Sequence, residues 1–77
     1  MINTIRIERA VQRLTQQQLA EKVQISRQTI HAIEASKYIP STVLALKLSA
    51  VFSKKVNDIF MLEEGDLILR RDRKSTV

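Results

Sequence analysis

An all-α fold of five short helices follows from three features of this 77-residue chain. Apolar residues recur at three- and four-residue spacing along most of its length, the repeat that lines one face of a helix. Residues that cap helix starts, Thr15, Ser26 and Ser41 or Thr42, stand just before those runs. The breaks between runs are a few residues long, as in one small compact domain.

Taken in order, residues 3–12 are expected to form the first helix, with Asn3 or Thr4 at its start and Ile5, Ala10 and Val11 turned inward. Ile2 and Leu14 close its ends, while Ile7 and Glu8 fit a single apolar stripe poorly. The second helix, Gln16–Val23, opens on Thr15 and Gln18, whose side chains satisfy each other's free backbone N–H groups. Leu19, Ala20 and Val23 line its face. Ser26 caps a third helix from Arg27 to Ala35, with Ile30 and Ile33 inward. Only Gln24, Ile25 and Ser26 remain between the two, which suits the sharply angled turn of a helix-turn-helix unit.

Ser36–Ser41 reads as a loop, because Pro40 lacks a donor and drives Ile39 towards an extended conformation. A fourth helix then reaches about Phe52. Its Val43, Leu44, Ala45, Leu46, Leu48, Val51 and Phe52 form a broad apolar surface for the centre of the core, and Lys47 is its one charge. Past Ser53–Lys55, residues Val56–Leu62 form a fifth short helix, with Ile59, Phe60 and Leu62 covering the open end of the core. The domain is placed at 1–62 and a tail at 63–77. Gly65 ends the helical region, Leu67, Ile68 and Leu69 make an apolar patch, and Arg70–Val77 is polar. The patch has three readings: packing back on the domain, pairing with a second chain, or disorder. Chain-to-chain contact ranks first, because an exposed sheet edge gives apolar residues outside the core a use.

Composition excludes several functions. There are 13 Lys and Arg against 8 Asp and Glu, for a net charge of +5. Residues 1–62 hold nine basic and four acidic side chains and the last fifteen hold four of each, so the whole excess lies on the domain. Such a domain favours a polyanionic partner, since neutralising phosphates releases counterions. The chain has no cysteine and one histidine, which rules out disulfides and leaves no basis for a metal site; no cofactor is expected. Apolar runs fall far short of the roughly 20 residues that span a bilayer. A soluble cytoplasmic, nucleoid-associated protein is expected. One glycine, one histidine and no cysteine supply neither a nucleophile with its base nor a phosphate-cradling loop, so catalysis is not expected.

The segments Leu14–Val23, Ile25–Ile30, Ile33–Glu34, Lys37–Ser41 and Leu44–Leu48 together resemble the Cro/C1-type, or Xre-like, helix-turn-helix family of bacterial and phage transcriptional regulators. The resemblance runs to about Phe60 and implies a compact five-helix, lambda-repressor-like domain. It also implies an ion pair between Arg9 and Glu34 that ties the first helix to the third. Members of that family often carry glycine at the positions of Arg13, Gln24, Ser36 and Ser53, where a positive φ is favoured, and a large apolar residue in place of Glu8. Here the side-chain-bearing residues face a cost of order 1 kcal/mol at each such turn.

Were the third helix to enter a major groove, Arg27, Gln28, Thr29, His31 and Ala32 would lie on its open side. Gln28 has the chemistry to grip adenine, and Arg27 to grip guanine or a phosphate. The resemblance implies that Gln28, Thr29 and His31 face bases, while Gln16, Arg27, Lys37 and Tyr38 hold the backbone. Ser26 can both cap the helix and donate to a phosphate. The expected partner is double-stranded DNA, an operator of two-fold symmetry bound by a homodimer, because one recognition helix covers too few base pairs. The leading function is a repressor that occupies its operator. The alternative is an antitoxin or adaptor that binds a partner protein through the same fold.

Overall fold

The computed structural model describes residues 1–66. Its elements are β1 (Ile2–Asn3), α1 (Ile5–Gln12), α2 (Gln16–Val23), α3 (Arg27–Glu34), α4 (Thr42–Phe52), α5 (Val56–Ile59) and β2 (Phe60–Met61). The fold is a small all-α one, with a two-residue strand pair closing its ends. The patch Leu67–Leu69 and the rest of the tail lie outside the described residues.

Local chemistry sets most boundaries. Thr15 and Gln18 form a reciprocal capping box, with bonds of 3.0 Å from the Gln18 N–H to Thr15 Oγ1 and 2.9 Å from the Thr15 N–H to Gln18 Oε1. Ser26 and Ser41 accept from the N–H groups of Thr29 and Leu44 at 3.1 and 3.2 Å. At the other ends, Arg13, Gln24, Ser36 and Ser53 all adopt positive φ, between 55° and 63°. These are the four positions at which the resembled family favours glycine, and this chain occupies the left-handed conformation there with side chains in place. The third helix ends at Glu34, with Ala35 as its cap.

Eleven residues form the core: Ile5, Leu19, Ala20, Val23, Ile30, Ile33, Leu44, Leu48, Phe52, Ile59 and Phe60. Helix α4 contributes Leu44, Leu48 and Phe52 at four-residue spacing, so it buries one narrow stripe. Val43 and Leu46 are 64% and 58% exposed, which corrects the broad buried surface expected of that helix.

The first helix also departs from expectation. It starts at Ile5, because Ile2 and Asn3 are extended and pair antiparallel with Met61 and Phe60. The side turned to the rest of the domain runs Ile5, Glu8 and Arg9, with the exposed Gln12 at its end, and Ala10 and Val11 face solvent. Three of those four residues are polar, and each meets a partner across the interface. Arg9 meets Glu34, Gln12 Nε2 donates to the Val51 carbonyl at 3.0 Å, and Glu8 lies 3.7 Å from Lys54 Nζ. An apolar stripe is therefore the wrong signal for a helix held by ion pairs and hydrogen bonds.

The fifth helix is a single turn. Phe60 turns extended, with φ −118° and ψ 133°, and Leu62 is 64% exposed rather than covering the core. Gly65 lies within a helical turn at 64–66 that begins where the Glu63 N–H donates to Asp66 Oδ2 at 2.8 Å. The Met1 ammonium sits 2.8 Å from Glu63 and 2.9 Å from Asp66, so contacts with the rest of the domain continue to residue 66.

Candidate nucleic-acid interface

The geometry of α3 follows from which of its residues the core takes. Ile30 and Ile33 are 0% and 1% exposed and press the helix onto the rest of the domain. Residues about half a turn away from them must then face outward. Arg27, Gln28 and His31 are exposed, while Thr29 and Ala32 are half-buried at the edges of that face. Among the described residues no segment crosses over the outward side. The Thr29 hydroxyl is 2.9 Å from Ser26 Oγ, so both hydroxyls belong to one local arrangement at the helix start.

The two flanks of that face carry the other candidate residues. Ser26 is exposed at the N-terminus of α3. Lys37 and Tyr38 follow its C-terminus, where the Ser36 and Lys37 N–H groups return to the carbonyls of Ile33 and Ala32 at 2.9 and 2.8 Å. That closure places the exposed Lys37 and Tyr38 beside the last turn of the helix rather than along its axis. Gln16 opens α2 on the other flank, half-buried, with its Nε2 donating to Glu34 Oε1 at 3.1 Å.

Glu34 is the hub of these positions. Its side chain is 1% exposed, and Arg9 grips it with Nε to Oε2 at 2.6 Å and Nη2 to Oε1 at 3.1 Å. Arg9 also donates from Nη1 to the Leu14 carbonyl at 2.9 Å, and Arg6 Nε lies 3.8 Å from Glu34 Oε1. The planar guanidinium matches the carboxylate with two parallel bonds, a geometry lysine cannot reproduce. One carboxylate thus holds α1, α2 and α3 at fixed positions relative to one another. Burial pushes its pKa up, but the hydrogen bonds from Arg9 and Gln16 and the charges of Arg9 and Arg6 outweigh burial and hold it below the usual value.

Arg27, Gln28 and His31 are exposed and Thr29 half-buried on α3, and the exposed Ser26, Lys37 and Tyr38 stand at its two ends. Gln16, on α2, has its amide engaged by Glu34. Asn3, expected from sequence only as a possible cap of the first helix, also ties the start of that helix to the end of α3. Its Nδ2 donates to the Ile33 carbonyl at the C-terminus of α3 at 2.8 Å, and its Oδ1 accepts from the Ile5 N–H at 3.2 Å. An asparagine just ahead of a helix is a visible capping signal, but its second partner is 30 residues away.

Residues 5–59 match the family model described as helix-turn-helix. An uncharacterized HTH-type transcriptional regulator of Methanocaldococcus jannaschii is 47% identical over 66 residues, covering 86% of this chain and 100% of that protein. One of Bacillus subtilis is 45% identical over 64 residues, 83% of this chain and 97% of its own length. A third, of Archaeoglobus fulgidus, is 43% identical over 63 residues, 82% of this chain and 89% of its own. Similar chains therefore occur outside bacteria and phage.

Proposed function

We propose, from the premise that this chain belongs to the Cro/C1-type helix-turn-helix family of DNA-binding transcriptional regulators, that it is a sequence-specific repressor which reads the major groove with α3. The observation that carries the proposal is the division of α3, with Ile30 and Ile33 locked in the core and Arg27, Gln28 and His31 left open. Gln28, Thr29, His31 and Arg27 read base edges, and Gln16, Ser26, Lys37 and Tyr38 hold the sugar–phosphate backbone. Residues 1–62 form the DNA-binding unit. Two copies bind a palindromic operator and block access to it.

Support for association comes from Ile39, Val43 and Leu46, which are 69%, 64% and 58% exposed. The same apolar surface favours a second reading, in which the domain is an antitoxin or adaptor for a partner protein. Selection from random duplexes decides between the two. A repressor returns one enriched motif with two-fold symmetry and half-sites about 34 Å apart, or a multiple of that spacing. Its retention falls steeply as salt rises. No enriched motif, together with co-purification of a stoichiometric small protein, would replace this reading with the adaptor.

A further inference from the structure

We propose that Lys47, carried on α4, is a positioning residue for the DNA-reading helix. Its ammonium holds the turn between α2 and α3 and offsets the conformational cost of a non-glycine residue at that turn. The functional consequence rests on the regulator reading above; the structural part rests on the turn alone.

The argument starts from the carbonyls that end α2. The last four of any helix lack intrahelical partners and must find others. Here the Ile25 N–H closes onto the Ala20 carbonyl at 3.0 Å and the Gln24 N–H onto that of Glu21 at 3.3 Å. Both bonds require Gln24 to be left-handed, at φ 63° and ψ 47°. The Val23 carbonyl is then met by Lys47 Nζ at 3.4 Å, and the same ammonium donates to Gln24 Oε1 at 3.2 Å. The side chain that makes the turn costly is thus the one that Lys47 grips.

Two further features fit this role. Lys47 is the one charged residue on an eleven-residue helix and is flanked by Leu44 and Leu48, both buried, so its stem starts from a fixed place in the core. Its charge lies at the C-terminus of α2, where the helix dipole favours a cation. Among the described residues its partners are the oxygens of the turn and not a carboxylate. Ser26, the cap from which α3 starts, is only two residues beyond Gln24. Rotation of the turn therefore moves Arg27 and Gln28 together.

Lys47→Met keeps the apolar stem and removes the ammonium. In the full chain, amide exchange at Gln24, Ile25 and Thr29 is expected to quicken about tenfold, the scale of one charge-assisted hydrogen bond, while α1 exchanges as in the parent. Affinity for the selected duplex falls by a similar factor with an unchanged salt dependence, because a lysine on a phosphate would lower the slope of log K against log salt by about 0.9. Lys47→Arg restores both. The proposal is overturned by unaltered or uniformly raised exchange, by unaltered affinity, or by a slope reduced by that amount. If the parent retains no duplex at all, the regulator reading falls on its own, and exchange at the turn still decides whether Lys47 holds it.

Discussion

At the scale of single residues, the Arg9–Glu34 pair dominates. With side chains 16% and 1% exposed, it is a largely desolvated contact, so deleting one partner strands the other. Arg9→Ala is expected to cost about 3–5 kcal/mol in urea unfolding, a large part of what a domain this small has. The same pair sets an acid limit. A carboxyl held below its ordinary pKa stabilises the fold fully above the unfolded value and loses that contribution as pH falls through the folded one. The urea midpoint should therefore stay level from about pH 7 to about 5 and drop in more acid solution, with a shallower drop in Glu34→Gln. On the DNA side, Gln28→Ala should lose about 1–3 kcal/mol at one base pair, whereas Lys37→Ala should weaken binding to every sequence alike. Titrations of both variants against the selected duplex, its single-base variants and random DNA test that division.

At the scale of elements, the four left-handed helix ends carry a shared cost. Ser36 and Ser53 sit at φ 61° and 55° in backbone conformations that suit glycine. Replacing either by glycine should stabilise the domain by up to about 1 kcal/mol, or about 4–8 °C in melting temperature at full effect. Gln24→Gly should gain less, because it also removes the oxygen that Lys47 grips. A calorimetric series over these three positions checks the order. A gain at Gln24 as large as at the serines would mean that its side chain contributes nothing. The same element-level view explains α1, which is fastened by Arg9 and Gln12 rather than by an apolar stripe.

For the whole molecule, the consequence is rigidity where a binding surface needs it. Asn3, Arg9, Gln16 and Glu34 join β1, α1, α2 and α3 around the C-terminal end of α3, and Lys47 joins α4 to the turn that leads into its other end. A helix held at both ends presents its outer residues with little ordering left to do on binding, which favours affinity. Variants that loosen either end should therefore weaken specific DNA binding more than nonspecific binding. A titration of Asn3→Ala against selected and random duplexes checks this, with equal losses on both counting against it.

The chain's own order of residues determined α2, α3 and the turn between them, because capping boxes, three- and four-residue spacing and short joints are contacts between near neighbours. It also marked the four positions that turn left-handed, once the likeness to other helix-turn-helix chains was seen. Tertiary structure alone decided which side of α1 faces in, that Val43 and Leu46 stay exposed, and that Phe60 leaves the fifth helix to pair with Asn3. The first and last of those outcomes depend on partners dozens of residues away, and the second on which stripe of α4 the core takes. A polar side chain can face the interior only when such a partner waits there, and a two-residue strand is too short for its alternation to be read before the other strand is known.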